Sequence, residues 1–185
     1  VGRVGHEAVE VARGEVAFAI GATADEVCFS SGGTESNNMA IHGVMLQHAP
    51  DSGAHLIVSN FEHPAVSAPV EYLQRMGYQI TEVPCDENGV VTAQRVAEAI
   101  RDTTVLVSIM HSNNEIGTLQ PISKISEVCR EQNVLLHTDA AQSVGKVSTQ
   151  VDEIGVDLMT IAGHKVYAPK GVGALYVRTG VSLDP

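Results

Sequence analysis

Two side chains set the chemistry open to this sequence. Lys165 stands in Ala162-Gly163-His164-Lys165, directly after an apolar run, and Asp139 stands 26 residues earlier (165 − 139), at the end of another. That interval is about one strand-to-strand unit, so an amine and a carboxylate can meet in one cleft. At the edge of an apolar strand and beside His164, Lys165 is a candidate Schiff-base amine, with a pKa that partial desolvation and nearby positive charge would lower. A solvated surface lysine is the plainer reading. Asp139 can hold a cation, such as the protonated nitrogen of a pyridine ring, or it can cap the helix that follows.

A third cluster supplies a place for an anion. Ser31-Gly32-Gly33-Thr34-Glu35-Ser36-Asn37-Asn38 carries two glycines and a row of small polar residues into the start of a helix. Glycines let the backbone approach a phosphoryl group, the helix start offers free N–H donors, and Thr34 can add a hydroxyl. A glycine turn capped by Thr34 or Ser36 fits the same residues. Neither GxGxxG nor GxxxxGK[ST] occurs here, which favours a small phosphorylated cofactor over a dinucleotide or nucleoside triphosphate. Two further loops belong with these. In Glu62-His63-Pro64-Ala65, His63 can stack on an aromatic ring or move protons, or cap a helix. In His111-Ser112-Asn113-Asn114-Glu115-Ile116-Gly117, the amides can bind a cofactor oxygen or a carboxylate, or shape an asparagine-rich turn.

The elements that must position these groups alternate along the chain. Short β-branched runs at Glu26–Ser30, His55–Ser59, Gln79–Val83, Thr104–Met110, Val134–Thr138, Asp157–Ile161 and Val172–Val177 read as strands. Amphipathic stretches at Arg3–Ile20, Glu35–Gln47, Ala65–Met76, Ala93–Ile100 and Ile122–Gln132 read as helices. The alternation predicts a three-layer α/β fold, a doubly wound and mostly parallel sheet covered by helices on both faces. Gly163 to Gly171 is too short for a helical crossover, so the last strand should run antiparallel to the one before it. Ligands of such sheets sit beyond the carboxyl ends of the strands, which is where every cluster above falls.

Composition narrows the function classes. With a formal charge of −11 and its lysines and arginines scattered, the chain has no basic stripe for a nucleic-acid backbone. No apolar run approaches the roughly 20 residues that cross a bilayer, so no membrane partner is expected. Cys28, Cys85 and Cys129 are odd in number, widely spaced and free of CxxC pairs, which fits a reducing, cytoplasmic setting. The histidines form no HExxH pair or acidic cluster, so no metal is assigned, and the absence of GxSxG argues against a serine hydrolase. Starting within an amphipathic pattern and ending just past a strand, the 185 residues read as a piece of a longer chain.

Taken in order, SSGGTESNN, EHPA, NNEIG, HTDAAQSVGK and AGHKVYAPKGVGALYV resemble the motif series of the class V aminotransferase group, in particular its NifS-like cysteine desulfurases and selenocysteine lyases. The resemblance covers nearly the whole chain. It implies the large domain of a pyridoxal-phosphate enzyme of the aspartate-aminotransferase type (fold type I), incomplete over residues 1–185. It further implies Lys165 as the Schiff-base lysine, Asp139 as partner of the pyridine nitrogen, Gln142 as donor to the phenolic oxygen and His63 stacked on the ring. Gly33, Thr34 and His164 would hold the phosphate, and Asn114 would lie by the cofactor and the substrate carboxylate. The implied reaction removes sulfur or selenium from cysteine or selenocysteine to leave alanine, in a homodimer that hands its product to an acceptor protein. A transaminase of the same fold is the alternative.

Three departures accompany the resemblance. Ala162 replaces a serine common in desulfurases, which resembles the selenocysteine-lyase branch. The family's catalytic cysteine and its carboxylate-binding arginine lie on segments beyond this region. None of Cys28, Cys85 or Cys129 takes the nucleophile's place, so residues 1–185 alone are expected to be inactive.

Overall fold

The computed structural model describes residues 2–184. Seven strands form one sheet: β1 (Val27–Ser30), β2 (His55–Ser59), β3 (Gln79–Val83), β4 (Thr104–Ser108), β5 (Leu135–Asp139), β6 (Leu158–Ala162) and β7 (Gly173–Val177). Their order across the sheet is β1-β7-β6-β5-β4-β2-β3. The pairs from β3 to β6 are parallel, while β7 runs antiparallel to both β6 and β1. The reversal at β7 is the one expected from the short Gly163–Gly171 connection. Because β7 opposes both neighbours, β1 points the same way as β6. The carboxyl ends of β1, β2, β4, β5 and β6 therefore share one edge.

Six helices accompany the sheet: α1 (Gly2–Ile20), α2 (Gly33–Met45), α3 (Pro64–Met76), α4 (Ala93–Ala99), α5 (Ile122–Glu131) and the single turn α6 (Val151–Ile154). Strand alternation divides the core between two faces. Leu56, Val58, Leu106, Leu158 and Leu175 point to one face, where they pack on Ile41, Val44 and Met45 of α2 and Val66, Val70 and Leu73 of α3. Ile57, Val107, Leu136, Met159 and Tyr176 point to the other, against Ile20 of α1, Val96 of α4, Ile122 and Ile125 of α5, and Ile154 of α6. The result is the three-layer arrangement that the alternating pattern predicts.

The deviations from expectation are local. β4 stops at Ser108 rather than Met110, and β5 and β6 each sit one residue later than expected, which places Asp139 inside its strand as the last residue. The backbone explains the shift at β5, since the Asp139 C=O accepts from the His111 N–H at 2.9 Å and the Ala140 N–H donates to the Thr160 C=O at 3.1 Å. Strand pairing thus continues through Asp139. α6 has too few residues to show a helical period in sequence. No helix among the described residues is long and apolar enough to cross a membrane.

Candidate functional site

A cavity of about 410 Å³ opens at the shared carboxyl edge of the strands, within the range of small-molecule and cofactor sites. Its wall includes Gly33, Thr34, His63, Asn114, Asp139, Gln142, His164 and Lys165, so all eight of the residues singled out in sequence border one space. They arrive from five strand ends, and no single segment could supply them.

The glycine cluster forms the start of α2. Gly32 is its N-cap with φ 154°, a backbone region that side-chain-bearing residues avoid, and a Cβ there would meet nothing within 4 Å. The first helical bond runs from the Ser36 N–H to the Gly32 C=O, which leaves the N–H groups of Gly33, Thr34 and Glu35 ahead of the ladder. Open space, unused donors and the positive end of a 13-residue helix suit an anion. The capping alternative is not realised: Ser36 is buried and shares a 2.7 Å hydrogen bond with Ser30 Oγ, and α2 receives no side-chain cap.

Asp139 is the buried wall. The Asn37 Nδ2 donates to its Oδ2 at 2.7 Å, and the Ala141 N–H donates to its Oδ1 at 2.9 Å. Only 7% of the residue is exposed, yet it reaches the cavity. Burial pushes the carboxyl's pKa up, opposed by the Ala141 and Asn37 hydrogen bonds and by the charge of His63. Among the described residues no lysine or arginine pairs with it. A cationic group in the cavity would complete this site, and the protonated ring nitrogen of pyridoxal phosphate would be one. Next to it the Asn37 Oδ1 is buried without a hydrogen-bond partner. Pyridoxal phosphate fits the chemistry of this donor set, with unused N–H groups for the phosphate and a buried carboxylate for the ring.

The opposite wall is open. His164 and Lys165 lie in a 3-10 turn (Gly163–Lys165) directly after β6, and both are exposed. The partial burial expected for Lys165 is therefore absent, because the turn carries it past the apolar end of the strand. His63 caps a helix and also borders the cavity. As N-cap of α3 it accepts the Ala65 N–H on Nδ1 at 3.0 Å, and the ring borders the cavity. The two asparagines of the next loop divide the work. Asn113 Oδ1 accepts the N–H groups of Glu115 and Ile116 and makes the turn, while exposed Asn114 faces the cavity. Gln142 is half-buried on the segment after β5 and also borders the cavity.

Two groups of this site escaped the reading of the sequence. Asn37 lies in the quoted glycine-rich stretch, but its partner Asp139 is 102 residues away and only folding joins them. Glu62, known only as part of Glu62-His63-Pro64-Ala65, has a carboxyl pKa raised by burial to about 8. The cysteines fall as expected and none borders the cavity: Cys28 is exposed in β1, Cys85 follows β3, and Cys129 is buried in α5 with its thiol pushed up to about 12. No group of histidine, cysteine or carboxylate side chains among the described residues could hold a metal ion.

Comparison with known proteins agrees on the family. The chain matches the family model for aminotransferase class-V over residues 2–185. It is 50% identical over 184 residues to the cysteine desulfurase IscS of Dictyoglomus turgidum, matching 100% of this chain and 46% of that protein. To the IscS of Aeromonas hydrophila it is 51% identical over 172 residues, 93% of this chain and 42% of the relative. Among solved structures, SspA in complex with cysteine superposes with a TM-score of 0.96 at 41% identity, and DndA from Streptomyces lividans with 0.93 at 38%. Each covers 100% of this chain and 53% of the other. The chain thus spans about half the length of the relatives it matches. With the family model covering it almost from end to end, the chain belongs to the class-V aminotransferases.

Proposed function

We propose that this chain is the cofactor-binding large-domain portion of a pyridoxal-phosphate-dependent cysteine desulfurase, which in its full length takes sulfur from L-cysteine and leaves L-alanine. One observation carries the reading: a single cavity is bordered by a helix start with unused N–H donors, a buried carboxylate and an accessible lysine amine. The names of the relatives favour sulfur removal over amino-group transfer.

When bound, pyridoxal phosphate supplies an aldehyde that takes up an amino group and a ring that draws electrons from a breaking bond. The residues divide the remaining tasks. Gly33 and Thr34 would hold the phosphate, together with His164. Asp139 would keep the ring nitrogen protonated through a carboxylate oriented by Asn37 and the Ala141 N–H. His63 would face the ring and Gln142 would donate to the phenolic oxygen. Asn114 would serve the cofactor and the substrate carboxylate, and Lys165 would provide the amine for covalent attachment and carry the α-proton. A catalytic cysteine and a carboxylate-binding arginine come from outside these residues. A homodimer, a cytoplasmic setting, a sulfur-acceptor protein and a place in iron-sulfur cluster assembly complete the proposal.

The test is borohydride reduction of the full-length protein loaded with pyridoxal phosphate, followed by peptide mapping. A stable label on Lys165, absent from Lys165→Ala, is expected; a label on any other residue overturns the reading. Ala162 at the cavity wall keeps selenocysteine as a second substrate, and parallel measurement of sulfide and selenide release decides between them.

A further inference from the structure

The cavity has a support that its own wall does not reveal. Glu62 follows β2 and immediately precedes His63. Its Oε1 accepts from the Ser59 hydroxyl at the end of β2 and, at 2.9 Å, from the N–H of Met110, which lies 48 residues away just beyond β4. The other oxygen, Oε2, is buried without a hydrogen-bond partner. His63 and Met110 both border the cavity, and Ser112 and Asn114 follow Met110 on the same wall. One carboxyl group therefore joins two walls that chain connectivity leaves independent.

The surroundings determine the charge of that group. Glu71 of α3 and Glu82 of β3 line the recess on its outer side, with no lysine or arginine among them. Asp139 of β5 acts on it from the cavity side, and exposed His63 is its neighbour in the chain. An ionised Glu62 would set an uncompensated buried charge among carboxylates; a neutral acid carries no charge and still accepts both hydrogen bonds on Oε1.

We propose that Glu62 is a positioning residue, a carboxylic acid that keeps its proton and clamps the His63 loop to the Met110 backbone. This rests on the reading of the cavity as the cofactor site. Burial raises its pKa from 4.5 to about 8, so the unfolded chain releases this proton at lower pH than the folded one. The group's stabilising contribution is complete below about 4.5 and is lost as pH climbs to about 8. Asp139, whose pKa is also raised, adds to the same downward trend at its acid end.

Three variants of the full-length protein test the clamp. Glu62→Ala should raise amide hydrogen exchange at Met110 in the cofactor-free protein and weaken pyridoxal phosphate binding, each by about tenfold, as expected for one buried hydrogen-bonding group. Ser59→Ala, which removes one donor, should move both in the same direction by less and stands in if Glu62→Ala does not fold. Glu62→Gln retains an acceptor oxygen but cannot ionise. It should keep Met110 protected while flattening the fall of melting temperature between about pH 4.5 and pH 8. Met110 exchange and cofactor affinity unchanged in the alanine variants would overturn the proposal, as would a wild-type pH slope in Glu62→Gln. A wild-type protein that binds no pyridoxal phosphate would refute the site reading, while Met110 exchange would still decide the clamp.

Discussion

The two walls of the cavity are built differently. On the Asp139 side, a carboxylate at the end of a central strand is fixed by a side-chain amide, a backbone N–H and continuous strand pairing. On the Lys165 side, the amine sits exposed on a 3-10 turn held mainly through Gly163, whose N–H donates to the Val172 C=O and whose C=O accepts from Val166 and Ala168. The contrast matches the two jobs proposed for these groups. A group that tunes a ring's electronics acts best when fixed and shielded, because electrostatic effects grow where water is excluded. A group that must bond and release needs room to move.

That contrast can be broken from either side. The largest effect is expected from Asp139→Ala, which removes the only buried acid proposed to hold the ring nitrogen: turnover by the full-length enzyme should fall by about 10²-fold or more. A steady-state assay of alanine release measures it, and near-normal turnover would show that the fixed wall has no electrostatic task. On the other side, a Cβ on Gly163 would lie 2.7 Å from the Val172 carbonyl oxygen, too close for backbone to accept. Gly163→Ala should therefore displace the lysine turn at a cost of about 1–3 kcal/mol, seen as a lower unfolding midpoint. Hydrogen exchange at Ala141 should stay unchanged, since that amide belongs to the Asp139 wall. The smallest effect belongs to Asn37→Ala, which deletes one of two donors to Asp139 and should cost about 1 kcal/mol of stability. The sharper sign is a further rise of the Asp139 pKa, readable by NMR titration, because a hydrogen bond that favours the carboxylate is lost.

How far each wall could be read in the sequence follows the same division. Asp139 and Lys165 were legible because each closes an apolar run, and strand ends in such sheets collect at one edge. The cradle was legible from its glycines, and the reversal of β7 from the length of one loop. What stayed hidden depends on contacts distant in sequence. Asn37 gains its meaning from Asp139, and Glu62 from the Met110 N–H, neither a neighbour in the chain. The exposure of Lys165 was hidden for another reason: flanking apolar residues describe the strand, while a 3-10 turn decides where the next side chain goes. The insertion of β7 between β1 and β6 is likewise a matter of pairing rather than of local pattern.

One ring is proposed to span the two walls with its nitrogen on Asp139. Pyridoxal phosphate labelled with ¹⁵N in the ring, bound to the full-length protein, reports this directly through the nitrogen chemical shift. A protonated nitrogen in wild type that becomes unprotonated in Asp139→Ala is the expected result; the same shift in both proteins would show that Asp139 does not hold the ring nitrogen.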